Sequence, residues 1–135
     1  MDWGERYLGF AVSDEGQCLA RPLGVHRRAG PASDLAAVKA RMDGVVEVLV
    51  GLPRRTDGRP GPSEAKALEF TRWLQDSVAC PVNTCDEWLT TVIAQQRMAS
   101  AGRVPGRVDA QAAAVLLQGY LDRRVGSMPR NQREN

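Results

Sequence analysis

Histidine occurs once in this chain, cysteine three times and lysine twice, and no apolar run approaches the length of a membrane span. Residues 45–52 form the best such run, but Glu47 interrupts it, and a spanning helix needs about 20 apolar residues. The N-terminus lacks a basic start followed by an apolar core, so a secretory signal is not expected and a cytoplasmic protein is. Cys18, Cys80 and Cys85 include no C-x-x-C pair, and a zinc site would have to gather these scattered residues with His26. The cysteines read instead as small buried hydrophobes in a reducing compartment. A Ser–His or Cys–His nucleophile is poorly supported as well. The lone His26 stands in a basic segment beside Arg27 and Arg28, expected to be a loop.

What the chain does have is arginine. Of its 18 basic residues only Lys39 and Lys66 are not arginine, and arginine grips phosphate bidentately where lysine acts as a point charge. The net charge of +2 is too small to prove a nucleic-acid partner, and an arginine-rich codon bias would give the same count. The clusters Arg54-Arg55 with Arg59, then Arg97, Arg103 and Arg107, then Arg123-Arg124 carry more weight. A chain of 135 residues with 43% hydrophobic and 25% charged residues fits one globular domain with a real core. That domain is placed at residues 1–123, with 124–135 read as a disordered tail of low apolar content.

The pattern of elements is a hairpin followed by alternating helix and strand. Residues 7–13 read as a strand closed by Asp14-Glu15-Gly16, with residues 19–25 as its partner. Pro22 puts that partner at an edge or a bulge. Ser33 or Asp34 is expected to cap a helix to about Met42, with Leu35, Val38 and Met42 on one stripe. Residues 45–52 have the β-branched composition of a strand buried on both faces. Ser63 is the expected cap of a helix to about Ser77, with Ala67, Phe70 and Leu74 inward. A short strand over 81–85 and a weak helix over 90–101 follow. The clearest helix spans 109–123, with Ala113, Leu116 and Tyr120 following Asp109 along one face. This order implies an α/β fold, a mixed sheet with helices on its faces.

Three acidic segments are the candidates for chemistry. Asp2 precedes a glycine-containing turn, Asp86-Glu87 follows the 81–85 strand, and Asp109 opens the last helix. Carboxylates at element ends can converge from distant parts of a chain, and hard divalent cations take such oxygen ligands together with substrate phosphates. Each segment also has a plain structural reading. Asp109 would be a helix cap, Asp86-Glu87 a solvated loop, and Asp2-Trp3-Gly4 is uninformative alone. Asp109 stands out because it continues the apolar face of its helix, where a lone carboxylate is costly.

In this order the segments resemble the YqgF family, also called RuvX-like, with an RNase H-like fold related to the RuvC resolvases. The resemblance rests on D-W-G-E-R-Y-L-G-F-A-V-S-D from Asp2, G-L-P-R-R-T-D-G-R-P-G from Gly51, D-E-W-L-T-T from Asp86, and D-A-Q-A-A-A-V-L-L-Q-G-Y-L-D from Asp109. It implies a five-stranded mixed sheet and a metal-dependent nuclease acting in 5′-end processing of pre-16S rRNA. Carried over by motif, Asp2, Glu87 and Asp109 become the catalytic residues and the ligands of Mg²⁺ or Mn²⁺, with Asp86 a neighbour of less defined role. Arg54, Arg55 and Arg59 would hold the nucleic-acid backbone without reading bases.

The chain departs from the family pattern twice. Arg commonly follows the D-E pair, whereas Trp88 stands here, which removes a guanidinium from beside the site. Several apolar residues commonly precede the D-x-G motif as the first strand, whereas Asp2 follows Met1 directly. A truncated first strand, with the true start upstream, is the expectation.

Three alternatives remain open at this stage. A Holliday junction resolvase would use the same carboxylates on branched DNA, favouring a homodimer where rRNA trimming needs only a monomer. A non-catalytic RNA-binding module of the same fold is the second. The third, a sugar kinase or actin-like ATPase, needs paired domains that 135 residues do not supply.

Overall fold

The computed structural model describes residues 1–53, 61–86 and 107–127, giving only the backbone course at Asp86, at 107–109 and at 124–127. Eight elements follow in order: β1 (Asp2–Trp3), β2 (Tyr7–Ser13), β3 (Ala20–Arg27), α1 (Pro31–Lys39), β4 (Val48–Leu52), α2 (Glu64–Ser77), β5 (Val82–Asp86) and α3 (Arg107–Ser127). The strands form one sheet in the order β3-β2-β1-β4-β5. β1 is antiparallel to β2 and parallel to β4, and β4 is parallel to β5. This is the mixed α/β sheet of the RNase H-like class, with its first strand reduced to two residues.

Strand alternation sorts the side chains to the two faces. Met1 and Trp3, Leu8 and Phe10, Val50 and Leu52 join one buried cluster with Val38 of α1 and with Ala67, Phe70 and Leu74 of α2. Leu8, Val50 and Leu74 are fully enclosed there, each contributing about 1.5–3 kcal/mol of hydrophobic stabilisation. The intervening residues Asp2, Gly9, Ala11, Leu49 and Gly51 therefore belong to the opposite face, over which α3 packs on β1, β2 and β3. That face carries small residues, and α3 meets it with buried Ala110, Ala112 and Ala113 followed by Leu116 and Leu121. Small against small lets a helix lie close to the sheet.

Most expected elements stand within a few residues of their place, and the differences are local. β3 is the edge strand, with Pro22 opposite Ala11 beside a register shift at Phe10/Ala11. It extends to Arg27, so His26 is a strand residue paired with Leu8 and not part of a loop. α1 begins at Pro31 after Gly30 and ends at Lys39, so neither Ser33 nor Asp34 is its cap. Asp34 is instead enclosed within the first turn. Ser63 does precede α2, but its hydroxyl donates to Glu5 Oε1 (2.9 Å) and not to the helix. α3 continues to Ser127, past the expected boundary at Arg123. The cysteines are all free thiols, and none is fully buried: Cys18 is exposed, and Cys80 and Cys85 are half-buried. The segment 90–101 lies outside the described residues.

Candidate active site

The centre of the sheet places a carboxylate between two glycines. Asp2 pairs with Gly9 on one side and Gly51 on the other, and Gly51 pairs in turn with Cys85. The row across the sheet thus reads Gly9, Asp2, Gly51, Cys85. Neither lateral neighbour of Asp2 carries a side chain.

The turn after β1 is tight. A Cβ on Gly4 would stand 2.7 Å from the carbonyl oxygen of Tyr7, closer than a side chain can approach. The Gly4 carbonyl accepts from Arg28 Nη1 at 3.1 Å. Arg28 also donates through Nε to Asp34 Oδ2 at 3.0 Å and lies over the rings of Trp3 and Phe70 at 5.2 and 5.4 Å. The turn that follows Asp2 is therefore anchored from below by one guanidinium. Asp34, 2% exposed, also contacts His26 Nε2 through Oδ1 at 3.2 Å, so its buried charge is matched by Arg28. Sequence reasoning missed this anchor. Its one signal was an acidic residue in the first turn of α1, which reads equally as a dipole partner or a cap.

β5 brings the second acidic segment alongside. Asp86 ends the strand opposite Leu52, one position further along than the row that contains Asp2. Asp86 closes β5, and Asp2 is level with Gly51 near the end of β4, the carboxyl-end side where α/β sheets collect ligands. Asp109 falls in the first turn of α3, the helix laid over the face of Asp2. Arg123 of α3 donates to Cys85 Sγ at 3.5 Å, tying the helix to the same row. Tyr120 donates to Glu47 at 3.3 Å, and Gln118 bonds Cys18 and Ala20 at the far end of the first hairpin.

Of the sequence-derived candidates, the structure places the backbone of Asp2 on β1 and of Asp86 on β5, on either side of β4, with Asp109 in the first turn of the helix laid over the sheet. Glu87, Trp88, Arg54, Arg55 and Arg59 lie outside the described residues. Among the described residues no three His, Cys, Asp or Glu side chains come together.

A fold of the RNase H-like class, with a carboxylate on its central strand and a second at the end of a strand two places away, narrows the choice of families. The RuvX family model, described as Holliday junction resolvase, matches residues 1–123, and the chain belongs to this family. Curated relatives agree over nearly their whole lengths. A protein of Anaeromyxobacter dehalogenans (strain 2CP-C) is 42% identical over 131 residues, covering 93% of this chain and 96% of the relative. One of Moorella thermoacetica is 42% identical, covering 91% and 92%. One of Halothermothrix orenii is 37% identical, covering 90% and 91%. All three bear the name "Putative pre-16S rRNA nuclease".

Proposed function

We propose that this protein is a metal-dependent nuclease that hydrolyses phosphodiester bonds in the 5′-end processing of pre-16S rRNA. The observation that carries the reading is the Gly9–Asp2–Gly51 row beneath the helix whose first turn contains Asp109. Relatives about 40% identical and matched almost end to end share the corresponding name. Asp2, Glu87 and Asp109 are assigned as catalytic carboxylates and ligands of Mg²⁺ or Mn²⁺, with Asp86 beside them. When bound, such ions neutralise charge at the scissile phosphate and activate water. The protein's own part is to hold its carboxylates at fixed element ends. Arg54, Arg55 and Arg59, in the segment after β4, are assigned to the nucleic-acid backbone, where contacts position the substrate without reading sequence. The reaction is assigned to the cytoplasm, where precursor rRNA is the substrate.

The description of the family model favours a second reading, cleavage of a four-way DNA junction. One experiment separates the two. Wild-type and Asp109→Asn proteins are incubated with Mg²⁺ or Mn²⁺ on a 16S leader RNA and on a four-way DNA junction. Metal-dependent cutting of the RNA, lost in the variant, is the expected result. Cutting of the junction alone would move the assignment to resolution. No cutting of either would leave a nucleic-acid-binding role for the fold.

A further inference from the structure

The face of the sheet opposite Asp2 holds an open cavity of about 730 Å³, between the start of α1 and one side of α2. Small-molecule sites span about 300–1,000 Å³. Lys66, Glu69, Phe70 and Trp73 recur at the three- and four-residue spacing that gathers side chains on one helix face, and all four line the cavity. Trp3 lines it from β1, since strand alternation turns its side chain away from that of Asp2.

The wall is aromatic, and its hydrogen bonding is incomplete. The rings of Phe70 and Trp73 stand 5.4 Å apart, tilted by 52°. Trp3 is 4% exposed, and its enclosed indole N–H has no acceptor among the described residues. A buried donor left unpaired is costly. The lining cations are both taken: Arg28 pairs with Asp34, and Lys66 pairs with Glu5. Glu69 is the third carboxylate on the wall and is exposed. The cavity therefore offers an unused donor, a carboxylate without a cation and the ring surface of Trp73.

A ligand that completes this set is planar and carries an acceptor beside N–H donors. Among the nucleobases, guanine has that edge. Its O6 acceptor adjoins the N1–H and N2–H donors, and a carboxylate can accept two N–H groups side by side. Adenine carries a donor where guanine carries O6. We propose that this cavity binds a guanine base stacked on Trp73. Glu69 accepts from N1–H and N2–H, and the Trp3 indole N–H donates to O6. Trp3 Nε1 is enclosed in the free protein, so O6 reaches it through a local shift of the wall as the base enters. The proposal does not rest on the nuclease assignment, because it uses none of the carboxylates assigned to metal.

The test measures binding by calorimetry on the intact protein in EDTA, so that cleavage plays no part. Guanosine, inosine and adenosine 5′-monophosphates compare the bases. The RNAs A-A-G-A-A and A-A-A-A-A compare the same bases within a strand. The guanine ligand of each series is expected to bind about tenfold more tightly than its adenine counterpart. Inosine monophosphate, which lacks the 2-amino group, should fall between the two other nucleotides. Glu69→Gln, on the exposed side of α2, should keep the wild-type Tm and lose the preference. The Trp3 indole proton of the wild type should move downfield as guanosine monophosphate or A-A-G-A-A is added. Tighter binding of A-A-G-A-A than of the mononucleotide assigns the site to a base in RNA, and the reverse order assigns it to a free nucleotide; either upholds guanine recognition. No preference for guanine in either series would overturn the proposal. So would a preference that survives in Glu69→Gln, or a Trp3 indole proton that does not move.

Discussion

Arg28 and Asp34 are bonded Nε to Oδ2 at 3.0 Å, and the same guanidinium reaches the carbonyl of Gly4, two residues past the candidate catalytic Asp2. One side chain thus links a carboxylate buried in α1 to the turn that sets the end of the central strand. Removing Arg28 leaves the buried Asp34 carboxylate with His26 in place of a permanent cation, at a cost of roughly 3–5 kcal/mol, whereas removing Asp34 leaves a partly exposed guanidinium and costs less. Arg28→Ala should lower the unfolding free energy measured in urea by that order, and Asp34→Ala by less. The double variant should cost less than the sum of the two, a non-additivity that a double-mutant cycle reads directly.

Gly4 should not tolerate a methyl group. The 2.7 Å approach of a built Cβ to the Tyr7 carbonyl is to backbone, which cannot swing aside as a flexible side chain would. Gly4→Ala is expected to destabilise by about 1–3 kcal/mol, measured by denaturant unfolding. Because the shift falls next to Asp2, cleavage should decline by more than the loss of folded protein explains.

Leu74 is fully enclosed between α2 and the sheet. Leu74→Ala should cost about 2–5 kcal/mol. At temperatures where the variant remains folded, the substrate preference of the wild type should persist, since Leu74 belongs to the face opposite Asp2.

Two exposed carboxylates should shape the acid limb of stability. Backbone N–H groups of Cys18 and Leu19 hold Asp14 below its usual pKa, and hydrogen bonds from Ser63 and Lys66 do the same for Glu5. A depressed folded-state pKa gives stability that is present above the unfolded value, 3.8 for Asp14, and is lost as pH falls through the folded one. Asp14→Asn should therefore flatten the decline of Tm below about pH 4 while leaving the slope near neutrality unchanged. An unaltered acid limb would show that these bonds are equally strong in the unfolded chain.

Much of this architecture was legible because local chemistry and fold agree. Pro22 in a run of strand formers marked an edge, and the edge is where β3 lies. Ala67, Phe70 and Leu74 at helical spacing marked the buried face of α2. The β-branched, apolar composition before Gly51, despite Glu47, marked a strand covered on both sides. What was not legible depends on contacts between distant segments. Nothing local distinguishes Asp34 from a cap residue, because its partners His26 and Arg28 come from a neighbouring strand and its end. Ser63 has the identity of a cap, but Glu5, 58 residues earlier in the chain, competes for its hydroxyl. In the candidate site, motif resemblance singled out Asp2. Its placement between Gly9 and Gly51 needed the register of three strands, which no short stretch of sequence encodes.

The strand order β3-β2-β1-β4-β5 has a consequence for synthesis. The sheet grows outward from its earliest segment: the first residues made occupy its middle, and later strands arrive on either flank. The β2–β3 hairpin can close at once, but the bond from Met1 to Leu49 must wait for a partner 48 residues away. At roughly 5–20 residues per second, that wait lasts seconds. α3, which covers the face of Asp2, emerges later still. The newborn chain therefore passes through an interval in which β1 has its antiparallel neighbour but lacks its parallel one.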